Sequence, residues 1–202
     1  MDAELLRHYL DSEIATEYGA DADELSAHWG FEEGTEGDDI LVIGGYGTIV
    51  RSLLEGIDVR LSSPVTAVAH DDRGVRLTVG GTEETFDRVI VTLPLGVLKA
   101  GTVTFDPPLP AAKQDAVDHI GFGLLDKLWL LFDEPFWTEE SLMWTVAGDG
   151  YGEFFNLQPL AGAPVLLALA GGDKARHFET LTDDEVIDAA VASLQRLVDG
   201  GF

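Results

Sequence analysis

Cysteine is absent from this chain. That excludes disulfides, thiolate-bound metals and a cysteine nucleophile together, and it fits a reducing, cytoplasmic setting. Basic residues are scarce: 12 lysines and arginines stand against 37 aspartates and glutamates, a formal net charge of −25. Such a surface repels nucleic-acid phosphates and anionic membranes and attracts cations, so neither nucleic acid nor a membrane is an expected partner. Most of the acid is expected on solvated faces. Long apolar runs are also missing. The longest, at about 124–132, is interrupted by Asp126 and Lys127 and is too short to span a bilayer. Met1-Asp2-Ala3-Glu4 has neither the basic stretch nor the apolar segment of a secretory signal. The five histidines (His8, His28, His70, His119, His177) are scattered, without the spacing of a metal-binding helix. No Gly-x-Ser-x-Gly elbow and no Walker lysine occur.

Hydrophobic residues make up 46% of the 202 positions, enough for a packed core. Residues 3–18 pattern as an amphipathic helix with Leu5, Leu6, Tyr9, Leu10 and Ile14 on one side. A short helix is predicted at 22–29, then a Gly-rich acidic loop containing Glu32 and Glu33. Gly44-Gly45-Tyr46-Gly47 lacks the third glycine of a dinucleotide fingerprint and reads as a tight turn into a helix at 48–55. The period then changes to two. Strands are predicted at 58–61, 65–69, 75–79 and 84–86, joined by turns at 71–74 and 80–81, with a buried strand at 88–92. A helix at 111–119 leads into the strand bearing Lys127. Further strands are expected near 142–146, 152–157 and 164–170. The last helix, at 183–198, opens with Thr182-Asp183-Asp184-Glu185, the spacing of a capping box.

Lys127 is one of only four lysines, and it interrupts an apolar strand. A cation there is expected either to be buried in a useful place at a cost of several kcal/mol, of order, or to snorkel outward. Alternation offers a check. If Leu128 and Leu130 pack one face, Lys127 shares the other with Trp129 and Leu131.

Three segments are similar to flavin amine oxidases, the family of polyamine oxidases and flavin-type histone lysine demethylases. The first is Gly45-Tyr46 with its helix and the run from Gly56-Ile57-Asp58 to Ser63-Pro64-Val65. The second is Val91-Thr92-Leu93-Pro94-Leu95-Gly96-Val97-Leu98-Lys99 with Phe105-Asp106-Pro107-Pro108. The third runs from Gly121-Phe122-Gly123 through Lys127 to Phe136-Trp137. The resemblance covers about 25–172, in the same order and spacing. It implies an α/β (α+β) fold: a mixed-sheet substrate domain with flanking helices, at 1–39 and 121–202. Between these, 40–120 would be an inserted β-meander piece of a Rossmann-like FAD-binding domain.

The resemblance also implies the chemistry. FAD would be the cofactor, a small amine the substrate and O2 the final acceptor. A C–N bond would be oxidised by hydride transfer to the flavin, with release of H2O2. Val65 would give backbone hydrogen bonds to the adenine end of FAD, and Thr92, Leu93 and Pro94 would pass the cofactor. Lys127 would hold a water that bridges to the flavin. Phe155 would line the amine's path, and Glu32 and Glu33 would meet cationic substrates. Bland readings stand beside these: Val65 as a plain strand residue, Phe155 as half of a core aromatic pair, Glu32 and Glu33 as a solvated loop. A related flavin-dependent desaturase of the protoporphyrinogen oxidase type and a non-catalytic acidic binding module are the alternatives. The family's Gly-rich FAD fingerprint and its C-terminal Gly-Glu segment have no counterpart here. The chain alone is therefore expected neither to bind FAD tightly nor to turn over.

Overall fold

In a computed structural model, residues 2–29, 37, 40, 42, 44–137 and 142–200 are described. The chain divides into two compact units, Met1–Glu32 with Gly123–Phe202, and Glu33–Phe122.

The first unit opens with one continuous helical stretch in three parts: α1 (Ala3–Tyr9), a π-helical segment (Leu10–Ala15) and α2 (Thr16–Tyr18). Gly19 ends it in the left-handed region that glycine tolerates. Of the predicted apolar stripe, Ile14 alone is buried. Ser12, Ile14, Ala15 and Thr16 are buried, whereas Leu5, Leu6, Tyr9 and Leu10 are exposed. The π turn is the reason. It adds a residue to the turn and rotates everything beyond it. The Ser12 and Thr16 hydroxyls donate back to the carbonyls of His8 and Asp11, each at 2.8 Å, which supports the altered ladder. Residues 22–29 form turns rather than the predicted helix. There the Ser26 hydroxyl accepts from the backbone N–H groups of His28 and Trp29, the local competition that serines offer helices.

The second unit contains α3 (Tyr46–Leu53), β1 (Val65–Asp71), β2 (Gly74–Val79), β3 (Thr82–Phe86), α4 (Leu95–Lys99), β4 (Thr104–Asp106) and α5 (Ala111–His119). Its sheet has the order β3-β2-β1-β4. The β1–β2 and β2–β3 pairs are antiparallel hairpins, and β4 lies parallel to β1. Gly80 and Gly81, both with positive φ, make the tight turn between β2 and β3. Residues 58–61 and 88–92 are not strands. Ile90 is 89% exposed, and among the described residues no strand lies beside 88–92 to take up its backbone groups. An apolar β-branched run becomes a strand only when another strand completes its ladder.

The chain returns to the first unit with β5 (Leu125–Leu131), β6 (Met143–Thr145), β7 (Glu153–Asn156), α6 (Gln158–Ala161), β8 (Val165–Gly171), α7 (Gly172–Phe178) and α8 (Asp183–Asp199). The sheet is antiparallel in the order β5-β8-β7-β6. One face carries Phe154, Leu166, Ala168 and Ala170, all buried in a core with Ala175 and Phe178 of α7 and Ala190 and Leu194 of α8. The capping box forms as the sequence predicts. The Thr182 hydroxyl accepts from the Glu185 N–H, and the Glu185 carboxylate accepts from the Thr182 N–H at 2.9 Å. Thr182→Ala should cost about 1 kcal/mol, a fall in Tm of roughly 2–4 °C for a chain of this size. An unchanged thermal melt would show that the cap contributes nothing. Among the described residues no helix is long and apolar enough to cross a membrane.

Candidate functional site

The strand bearing Lys127 alternates cleanly. Asp126, Leu128 and Leu130 point inward, and Leu128 and Leu130 pack on the core. Leu125, Lys127, Trp129 and Leu131 are exposed on the other face. Of the two expectations for Lys127, the structure shows the outward one: it stands on an open face. Among the described residues it makes no hydrogen bond or ion pair. Asp126, on the core side, is held above the ordinary carboxylate range by desolvation, with Glu179 adding to it.

Register decides what shares that face, because directly paired residues in antiparallel strands project to the same side. Lys127 pairs with Leu169, Leu169 with Glu153, and Glu153 with Thr145. In the next row Trp129 pairs with Leu167, Leu167 with Phe155, and Phe155 with Met143. Lys127 and Glu153 thus lie two strands apart, about 10 Å between backbones. Phe155 stands on the same face, half-buried, beside an apolar row.

Glu153 is the unusual member. Its exposure is 8%, and among the described residues its carboxylate has no hydrogen bond or ion pair, while its oxygens keep some contact with solvent. Desolvation, with Glu13 and Glu17 adding repulsion, pushes it up to about 7. Glu13 belongs to the π segment and Glu17 to α2; both are exposed. The helix reaches this end of the sheet because strand β8 offers it a glycine. A Cβ at Gly171 would overlap the carbonyl of Ala15, and one at Gly123 would overlap that of Gly19. Beneath the helix a cavity of about 10 Å³ is lined by Asp11, Ser12, Thr16, Glu153, Leu169 and Lys174, among others, roughly the room of one water. A wider pocket of about 280 Å³ is lined by Leu5, His8, Tyr9, Ser12, Glu13 and Thr145. Thr145 is the strand partner of Glu153. The sequence reading missed Glu153, Glu13 and Glu17. A signal was there: Glu153 is a charge beside Phe154-Phe155, the same anomaly that singles out Lys127.

The other candidates lie in the second unit or outside the described residues. Val65 opens β1 and pairs with Val79, with a bulge before Ala67. The β4 ladder begins only opposite Ala67. On that side Val65 has no strand partner among the described residues. Thr92, Leu93 and Pro94 form an irregular segment whose Pro94 starts α4, with Thr92 and Pro94 exposed. Glu32 and Glu33 fall outside the described residues.

The profile of the family described as flavin containing amine oxidoreductase matches residues 4–201. The chain belongs to that family. The family's cofactor is FAD, and its members are oxidoreductases acting on amines. Relatives include polyamine oxidase 4 of Oryza sativa subsp. japonica, 36% identical over 90% of this chain and 38% of that protein. Another is lysine-specific histone demethylase 1 homolog 3 of Arabidopsis thaliana, 36% identical over 92% of this chain and 13% of that protein. Among solved structures, putrescine oxidase bound to putrescine superposes with a TM-score of 0.66 at 26% identity, covering 76% of this chain and 35% of that one. The chain thus spans well under half the length of the curated relatives it matches.

Proposed function

We propose that the protein carrying this chain oxidises a C–N bond of an aliphatic amine that bears a second ammonium group, with FAD as the electron acceptor. The observation that carries this reading is Glu153, a buried carboxylate with no cationic partner among the described residues, on the sheet face that also carries Lys127 and Phe155. An isolated buried carboxylate is costly unless something compensates it. An ammonium about 4 Å away would attract it by about 4 kcal/mol at an effective dielectric near 20. Glu13 and Glu17 add negative potential to the approach. Leu167, Phe155 and Trp129 offer an apolar row to the methylenes between two ammonium groups. That solved relatives include a putrescine oxidase with putrescine bound supports a diamine or polyamine.

The open edge of Val65 and the exposed Thr92-Leu93-Pro94 segment fit a cofactor held by backbone contacts, and these residues would hold FAD. Bound, FAD supplies a two-electron acceptor that O2 can reoxidise. The balance is simple. The amine loses two electrons and two protons to become an imine, water hydrolyses the imine, and O2 takes the two electrons and two protons to become H2O2. Lys127 would contribute an ammonium that orders a water and holds a proton beside the reacting carbon.

In the flavin-loaded enzyme, kcat/KM for 1,4-diaminobutane should exceed that for butylamine by roughly 10²-fold, the penalty for leaving a buried polar group unpaired. Equal values would defeat the diamine reading. Lys127→Gln should lower kcat by on the order of 10²-fold with little change in KM. Wild-type rates in that variant would remove the role given to Lys127.

A further inference from the structure

Lys174 raises a question that the substrate reading leaves open. It lines the same small cavity as Glu153, and among the described residues it is the only cation that does. A flexible ammonium lining the same cavity is a natural counter-charge for that carboxylate. Instead, Lys174 Nζ lies 2.7 Å from Asp11 Oδ2, with a further contact of 3.5 Å to the carbonyl of Gly148. Asp11 sits at the start of the π segment, and its own carbonyl accepts the Thr16 hydroxyl.

We propose that Asp11 is a positioning residue: by engaging Lys174, it keeps that ammonium off Glu153 and leaves the carboxylate free for a cationic substrate. This inference rests on the substrate reading above. The surroundings of Glu153 are consistent with it. From the helix come Asp11, Glu13 and Glu17. From α1, His8 approaches the neighbouring Gly152, its Nδ1 3.8 Å from where a Cβ would stand. From α7 comes Lys174, and along the strand row comes Lys127. Glu13 and Glu17 act on Glu153 by repulsion, and no cation among the described residues offsets them. The cation that shares its cavity is held by a different carboxylate. Released from Asp11, Lys174 would compete from within the molecule, where a tethered group acts at millimolar or higher effective concentration. A free diamine would then have to displace it.

The test is a double-mutant cycle with two readouts. In the flavin-loaded enzyme, Asp11→Asn should raise KM for putrescine about tenfold with kcat little changed, by the tethered competition described above. Lys174→Met alone should leave both constants close to wild type. The double variant should recover the wild-type KM, because the competing ammonium has gone. Independently of turnover, ¹³C NMR of the Glu153 side-chain carboxyl in this chain should show its titration midpoint falling in Asp11→Asn and returning in the double variant. A double variant as impaired as Asp11→Asn would mean that the Asp11–Lys174 pair only supports the fold. An unaltered titration in Asp11→Asn would equally overturn the inference. If Glu153→Gln leaves KM unchanged, the substrate reading fails instead, and the NMR titration still decides whether Asp11 restrains Lys174.

Discussion

Glu153→Gln is expected to raise the KM for a diamine by roughly 10²-fold or more and to change kcat little. Truncating one partner of a buried, desolvated charge pair typically costs 2–5 kcal/mol, of order. Here the substrate's second ammonium is one partner and Glu153 the other. Glutamine keeps the volume and shape, so the loss would report charge rather than packing. The same substitution should stabilise the chain without ligand, because the native carboxylate is largely desolvated and unpaired.

The sign of the pH dependence follows from the raised value. In the unfolded chain Glu153 titrates near 4.5; in the fold it is pushed up to about 7. The folded state therefore holds the proton more tightly. The stabilisation this provides is full below about 4.5 and is lost as pH rises through about 7. The wild-type Tm should fall between pH 5 and pH 8, and Glu153→Gln should flatten that slope. Each kcal/mol is worth roughly 2–4 °C here. Ligand binding runs the other way, because it needs the ionised carboxylate. KM for the diamine should fall as pH rises through 7 in the wild type and not in the variant. Identical pH profiles for the two proteins would show that Glu153 neither carries the charge nor meets the substrate.

The second large effect concerns salt. At low ionic strength the net charge of −25 works against the compact state. Several cations are already committed: Arg60 to Glu84, Arg76 to Asp71, Arg176 to Asp173, Asp21 and Glu24, and Lys174 to Asp11. With 37 acidic residues against 12 basic ones, most carboxylates have no opposite charge to pair with. Raising salt from 0.1 M to 1 M shortens the screening length from about 10 Å to about 3 Å. That removes repulsion between carboxylates at ordinary surface spacing, and it costs little because exposed ion pairs are each worth about 0–1 kcal/mol. We expect Tm, followed by circular dichroism, to rise by about 10 °C between 0.1 M and 1 M KCl, several kcal/mol at this chain length. A flat or falling Tm would show that the acidic surface is not self-repelling.

Local rules read some elements well. Period-two alternation located β1 and β2, the apolar run around Lys127 located β5, and the capping box located the start of α8. The α5 helix has the predicted bounds, Ala111–His119. Where the reading failed, a non-local partner decided. Residues 88–92 have strand composition but no neighbouring strand among the described residues. The π turn moved the buried stripe of the first helix, and hydrophobic periodicity assumes a regular helix. The short helices α4, α6 and α7 are too brief to show a period. Lys127 was legible because a charge in an apolar strand stands out in one dimension. Glu153 became interpretable only when register placed it in the row of Lys127 and the helix buried it.

The position of β5 at one end of its sheet has a further consequence. Among the described residues, one side of this strand has no partner. Its exposed face carries Leu125, Trp129 and Leu131, with Lys127 the only charge on it. An unpaired apolar edge is a template for association with other chains, and a single lysine is a common natural guard against it. Lys127 therefore stands where a guard against such association would, as well as being a candidate for chemistry. For that reason glutamine, which keeps the position polar, is the informative substitution there. An apolar replacement would turn the strand into an adhesive edge, and loss of activity in it would report aggregation as much as catalysis.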